Sequence, residues 1–414
     1  VNAQRTQVIF LKFEELKLKE EVAKAISDFG FSETTSIQAR VIPPALEGRD
    51  VIGEAPTGSG KTLAFAIPIA EKIKRDAGVQ ALVVTPTREL ALQVSEVIAK
   101  TTRYLRIRVA TVYGGVAIEP QIRELRSAGV VVGTPGRLLD HLRRGTLKLG
   151  KVKILVLDEA DRMLDMGFIE DVQRIIRHTP RERQTLLFSA TIPPEIKRLA
   201  SRFMRSYLHI RNVEEDKPEI EECFIEVREG EKFQLLQALL EAEKPESAII
   251  FCNTKIVASI VAANLAKHGM SVAAIHGDLS QAKRERVMNS FRAEKLRILV
   301  ATDVAARGID IPAVSHIFNY DIPDNGDDYT HRIGRTARGG AKGKAFCLLS
   351  PSHHDNMRRV HSAFPHIERR EFDAELSRYP ALDYRLGRLL PRKGRRSFSR
   401  SFPRRRGGRD KKRR

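Results

Sequence analysis

Ala55-Pro56-Thr57-Gly58-Ser59-Gly60-Lys61-Thr62 follows a short apolar run, Val51–Ile52, and leads into a stretch with helical spacing. Glycines in such a loop let backbone N–H groups curl around phosphate oxygens. Lys61 adds a point charge for β- and γ-phosphates, and the Thr62 hydroxyl suits Mg2+. Ala55 stands where this pattern usually has its first glycine. Farther along, Ile154-Leu155-Val156-Leu157 runs into Asp158-Glu159-Ala160-Asp161. A buried strand ending in adjacent carboxylates places acid at the carboxyl edge of a sheet, where nucleotide hydrolysis needs it. Asp158 can hold Mg2+ through water, and Glu159 can polarise the attacking water. Alone, the loop reads as a tight turn and the acids as a helix cap. Together they point to nucleotide hydrolysis.

With these residues in place, the chain resembles a DEAD-box ATP-dependent RNA helicase of helicase superfamily 2, of the bacterial type. The match is literal at Asp158–Asp161 and extends over about residues 13 to 350, with the other motifs in family order. Gly30-Phe31 through Ile37-Gln38 resembles the adenine-sensing segment, with Phe13 as its upstream aromatic. The resemblance implies that Gln38 reads the adenine edge, because an amide donates and accepts at once. It also implies that Phe31 stacks on the ring; without it, Phe13 and Phe31 read as core residues. Thr34 departs from the family's usual proline, which puts the rigidity of that loop in question.

The same resemblance implies coupling roles for Asp161, Ser189, Thr191 and His331, which join hydrolysis to unwinding. His331-Arg332-Ile333-Gly334-Arg335-Thr336-Ala337-Arg338 resembles the arginine-finger motif, with Arg335 and Arg338 as γ-phosphate contacts. Such cations are worth on the order of 10³–10⁵ in rate in other phosphoryl-transfer systems. Within Ala301–Asp310, Thr302 is implied to meet an RNA phosphate and Asp310 the ribose. RNA contacts are implied at Pro86, Thr87, Arg88, Gly115, Thr134, Gly136 and Arg137 in the first half of the chain. Thr254 and Arg284 correspond in the second. Backbone N–H, hydroxyl and guanidinium donors at strand ends suit phosphate and sugar, and they carry little sequence information.

Two series of β-branched runs must position these residues. The first comprises Val51–Ile52, Ala81–Thr85, Val109–Val112, Val130–Val132, Ile154–Leu157 and Thr185–Phe188. The second comprises Ala248–Phe251, Val272–Ile275, Ile298–Ala301, His316–Asn319 and Ala345–Leu349. Continuous apolar runs between helical stretches imply parallel strands buried on both faces. The expected fold is α/β: two tandem RecA-like domains with largely parallel central sheets and a disordered basic tail. The expected boundaries are an adenine-sensing region at 11–39, a first domain at 40–211, a linker at 212–222, a second domain at 223–387 and a tail at 388–414. The linker reading rests on acidic composition and Pro218.

The chain has 414 residues, 42% hydrophobic, with a net charge of +20. That composition excludes wholesale disorder. Its longest near-apolar stretch, Leu63–Ala70, is interrupted by Pro68, far short of the ~20 residues a membrane span needs. No secretory signal is visible at the start. Cys223, Cys252 and Cys347 lack the pairing or spacing of a disulfide scaffold or a zinc site, so a cytoplasmic protein is expected. Residues 388–414 carry a net +13, leaving +7 for the remainder. Phe398 and Phe402 interleave with arginine there, a composition that holds single strands by charge and stacking.

The expected activity is RNA-stimulated ATP hydrolysis with Mg2+, driving local, non-processive duplex unwinding or RNP remodelling. The expected partners are single-stranded RNA and short duplexes, read largely without regard to sequence. A monomer serving ribosome assembly or RNA turnover, beside ribosomal precursors or RNA-decay proteins, is the broader expectation. Two alternatives stand beside it: an ATP-gated RNA clamp or annealing chaperone, and a DNA-directed translocase on the same core.

Overall fold

The computed structural model describes residues 11–56, 58–211, 219–306, 311–337 and 342–389. Strands are numbered in chain order. The first seven are β1 (Val51–Glu54), β2 (Ala81–Val84), β3 (Val109–Val112), β4 (Val130–Gly133), β5 (Ile154–Leu157), β6 (Gln184–Ser189) and β7 (Leu208–Arg211). They form one sheet in the order β3-β4-β2-β5-β6-β1-β7, and every pairing is parallel. The second sheet uses β8 (Ile220–Glu226), β9 (Ala248–Phe251), β10 (Val272–Ile275), β11 (Ile298–Ala301), β12 (His316–Asn319), β13 (Gly343–Leu349) and β14 (Glu368–Arg369). Its order is β10-β11-β9-β12-β13-β8-β14, again parallel throughout.

Helices cover both faces of each sheet. In the first, Val83, Val132 and Val156 pack on one side, with helices Ser36–Leu46 and Lys61–Lys72. Leu82, Val131 and Leu155 pack on the other, with helix Ile169–Arg177. Alternate residues of one strand thus feed two separate cores, which is why the central strands read as unbroken apolar runs. The second sheet repeats the arrangement. Two tandem RecA-like domains are the result. Parallel strands put all their carboxyl ends on one edge, and both sets of sequence motifs fall there.

Three strands escape the sequence reading. Residues 220 to 222, placed in the linker, begin β8 and pair with β13. Chain that composition marks as connection is therefore part of the sheet. β7 and β14 lie at sheet edges; both residues of β14 are polar and exposed, as are two of the four in β7. A 3-10 turn runs over Tyr384–Leu389, and residues 390–414, within the expected tail, lie outside the described residues. Cys223, Cys252 and Cys347 are free and buried.

Candidate nucleotide and RNA site

The phosphate loop joins β1 to helix Lys61–Lys72, whose N-cap is Gly60 at φ +90°. A side chain at Gly60 would stand 2.5 Å from the Gln38 amide nitrogen and 3.0 Å from the Thr35 hydroxyl, so glycine is required. Lys61 is buried and its Nζ donates to the Ala55 carbonyl at 2.6 Å. Ala55 itself is buried and its N–H pairs with the Ser189 carbonyl, so a side chain is accommodated where a glycine is usual. Thr62 is half-buried in the first helical turn. Pro56, Gly58 and Ser59 lie in the loop, and Thr57 is outside the described residues.

Gln38 is buried and ties the adenine-sensing segment to this loop. Its Nε2 donates to the Gly60 carbonyl at 3.1 Å, and its Oε1 accepts from Thr35 N at 3.0 Å. Thr35 Oγ1 donates to the Ser59 carbonyl at 2.8 Å. Phe13 is buried, whereas Phe31 is 51% exposed and lies parallel to Phe29 at 6.0 Å. Read as core from burial rules alone, Phe31 would have been misplaced. This exposed ring, four residues before Thr35, is available for a flat base to stack on.

Asp158 and Glu159 sit at the carboxyl end of β5. Burial pushes the Asp158 carboxyl up to about 7, with Lys61 pulling the other way and Glu159 and Asp161 adding repulsion. Among the described residues no group of three or more acids, cysteines or histidines is placed to hold a metal, so Asp158 fits a divalent cation only together with phosphate and water oxygens. Glu159 takes a left-handed backbone, φ +50°, and its Oε2 pairs with Arg162 Nη1 at 3.2 Å. Arg162 is almost wholly buried.

Asp161 gathers the next motif around itself. Its N–H donates to Ser189 Oγ at 3.0 Å. Its Oδ2 accepts from the N–H groups of Ala190 and Thr191, both at 3.0 Å, and from Thr191 Oγ1 at 3.4 Å. Three sequence-predicted coupling residues are thereby brought together. His331 lies on helix Gly326–Ile333, half-buried, and Arg335 follows that helix, buried. Arg338 and Asp310 lie outside the described residues.

The RNA motifs follow β2, β3 and β4 in the first domain. Pro86 is buried, and Thr87 caps helix Arg88–Thr101 by accepting from Leu90 N at 3.3 Å. Arg88 lies over the Tyr113 ring, 4.4 Å from its centre, with Gly115 close by. Arg137 donates to the Val116 carbonyl at 3.0 Å and to Gln121 at 3.2 Å, bracing the Gly114-Gly115 turn. Thr134 and Gly136 open helix Pro135–Arg143, and the space beside Gly136 is free. In the second domain Thr254 caps helix Lys255–Lys267, and Thr302 is buried after β11. Arg284 pairs with Glu89 of the first domain. The Nε atoms of Arg88 and Arg284 are buried with no hydrogen-bond partner among the described residues. Unpaired guanidinium donors are costly unless a ligand supplies an acceptor.

The sequence pattern of the DEAD/DEAH box helicases matches residues 35–199, and that of the helicase conserved C-terminal domain matches residues 231–340. Together they cover more than half of the chain. The chain belongs to the DEAD/DEAH box helicase family. It is 52% identical over 343 residues to the DEAD-box ATP-dependent RNA helicase CshA of Geobacillus kaustophilus, a match covering 82% of this chain and 73% of that protein. It is 50% identical over 344 residues to the ATP-dependent RNA helicase CshA of Listeria monocytogenes, covering 82% of this chain and 66% of that one. Among solved structures, Saccharomyces cerevisiae Dbp5 bound to RNA and ADP BeF3 superimposes with a TM-score of 0.77 at 33% identity, covering 87% of this chain and 95% of that one. A DEAD box protein from Methanococcus jannaschii gives a TM-score of 0.55 at 42% identity, covering 88% and 100%.

Three residues of this DEAD-box chain carry more than its sequence reveals. Tyr113, just before Gly114-Gly115, is the platform under Arg88; an aromatic preceding the glycine pair was the available signal. Thr34 is buried, and its Oγ1 donates to the Leu11 carbonyl and accepts from Leu11 N, both at 3.0 Å. With Thr34 N donating to the same carbonyl at 2.9 Å, the loop is pinned where proline rigidity is missing. Arg332 is nearly inaccessible and grips Asp303 with two bonds of 2.7 Å, while also reaching the side chains of Asn253 and Asn319. It fixes the start of the Thr302–Asp303 segment against three strand ends.

Proposed function

We propose that this chain is an ATP-dependent RNA helicase that opens short duplexes locally as its two domains close on nucleotide and RNA. The reading rests first on one observation: the Asp161 carboxylate ties the hydrolytic acids to Ser189-Ala190-Thr191. A change at the phosphates is thereby felt one strand away, at β6. Lys61, Asp158 and Thr62 are the residues that would hold the phosphates and Mg2+. The ion supplies charge neutralisation on the triphosphate when bound. Glu159 accepts the proton of the attacking water, and Arg335 and Arg338 come from the opposite domain as cations for the transferring phosphoryl group. Hydrolysis then requires closure.

The likeness to the RNA- and nucleotide-bound form of Dbp5 supports RNA and nucleotide as ligands here. The names of the CshA relatives support RNA as the substrate. Service in ribosome assembly or RNA turnover, a monomeric state and a cytoplasmic setting belong to the same proposal. Among the described residues no helix is long and apolar enough to cross a membrane.

The deciding experiment measures ATP hydrolysis and strand separation with RNA and with DNA of one sequence. RNA-specific stimulation and ATP-dependent opening of a short duplex are the expected results. Equal stimulation by DNA would overturn the substrate assignment. Tight ATP-dependent binding or annealing without strand opening would make the protein a clamp or annealing chaperone.

A further inference from the structure

We infer that the amino-end edge of the first sheet is a second RNA-backbone site, which holds RNA flanking the segment gripped at the carboxyl edge. The inference rests on the RNA reading above. Lys74, Arg106 and Arg108 are exposed and line one hollow below β2, β3 and β4, and the exposed Lys151 and Lys153 lie at the same end of the sheet, just before β5. Backbone bonds place them there. Gln80 receives Lys74 N on its side chain and Lys153 N on its carbonyl, while Gly129 N donates to the Arg108 carbonyl. The Lys151 chain passes beside Gly78, and Arg108 donates to Ser127 Oγ at 2.9 Å.

What marks this edge is five exposed cations at one end of one sheet. Several exposed arginines elsewhere sit with an acid three or four residues away, as in Arg144 with Asp140 and Arg198 with Glu195. Here Lys74, Arg106, Arg108, Lys151 and Lys153 have no ion-pair partner among the described residues. The acid in the hollow, Asp76, is taken by Arg75 at 3.0 Å. Unneutralised cations at one place attract a polyanion.

Chemistry and position favour RNA over an acidic protein. Protein interfaces centre on buried aromatic or apolar anchors. Among the described residues, the exposed large apolar residues, Phe31, Leu92, Met166, Ile256 and Tyr384, all lie outside this hollow. The strands above the patch are the same three whose upper ends carry Arg88, Gly115 and Arg137. Four-residue strands span only ~13 Å, and β3 is the edge of the sheet. RNA leaving the upper track past β3 reaches this patch directly.

The test compares full-length wild type with Arg106→Glu/Lys151→Glu and, as a milder variant, Arg106→Gln/Lys151→Gln. Binding is measured with a ten-nucleotide single strand and with a long RNA carrying a duplex flank, across a salt series. Both variants should hydrolyse ATP with the short strand at wild-type rates. Affinity for the long RNA should fall about tenfold for the Glu variant and about threefold for the Gln variant, with a shallower salt slope. Unchanged long-RNA affinity and slope would overturn the proposal. So would preferential loss of binding to poly-glutamate, which would assign the patch to an acidic partner. If wild type is not stimulated by the short strand at all, the failure belongs to the RNA reading itself.

Discussion

Arg284 of the second domain pairs with Glu89 of the first, and both side chains are largely shielded from solvent. Glu89 opens the helix after Pro86-Thr87-Arg88, and Arg284 lies in the first turn of Gln281–Arg292. The pair therefore joins two segments expected to contact RNA, one in each domain. Partly buried charge pairs couple more strongly than exposed ones, by about 1.5 kcal/mol or more. Glu89→Gln should weaken RNA binding about tenfold in the presence of a non-hydrolysable ATP analogue, with little change in its absence. Exchanging the charges, Glu89→Arg with Arg284→Glu, should recover part of the loss. Equal weakening with and without nucleotide would remove the pair from closure.

Much of this architecture is legible in the chain because its central strands are buried on both faces. Ile154–Leu157 and Ala248–Phe251 need apolar residues at every position, and no surface helix shows that pattern. β8 was missed for the opposite reason. It carries Glu221, Glu222 and Glu226 and buries few positions, so local composition resembles a linker while long-range pairing with β13 makes it a strand. The site divides the same way. Lys61, Asp158 and Asp161 are local motifs, whereas Thr34, Tyr113 and Arg332 act through partners distant in sequence or placed by the fold.

Thr34 offers a direct check on the adenine-sensing loop. Thr34→Val keeps the backbone bond to Leu11 but removes both hydroxyl bonds. Leaving those groups without partners costs about 1–2 kcal/mol. The KM for ATP should rise several-fold with kcat little changed, because the loop presents the base-binding side chains and not the hydrolytic acids. Thr34→Ser should restore the wild-type value. A Val variant with unaltered KM would show that the hydroxyl does not hold the loop.

Asp158 makes stability depend on pH. Its carboxyl is pushed up from the ordinary 3.8 to about 7, chiefly by burial. Between those values the folded chain holds a proton that the unfolded chain has released, so this group's contribution is fully present below 3.8 and is lost as pH rises through about 7. The slope is negative, about 1.4 kcal/mol per pH unit at most. Melting of the nucleotide-free protein should show this decline between pH 5 and 7 relative to Asp158→Asn, which has no such proton. Parallel pH profiles for the two proteins would contradict the assignment.

Arg162 holds the Glu159 carboxylate in place. Glu159 takes a left-handed backbone that costs a non-glycine residue roughly 1–2 kcal/mol, and it persists because neighbours constrain it. Its N–H donates to Asp158 Oδ1 at 3.0 Å, and its Oε2 meets Arg162 Nη1 at 3.2 Å. Arg162→Ala should lower kcat about 10- to 100-fold while leaving the KM for ATP near wild type, as expected when an acid is misaimed but the phosphates are still held. Arg162→Lys should recover only part, since a point charge lacks the guanidinium fork. Glu159→Gln is the reference: it should bind ATP and RNA yet scarcely turn over. A fall in melting temperature with kcat unchanged would make Arg162 structural only, because losing a partner from a buried pair destabilises by about 3–5 kcal/mol regardless of catalysis.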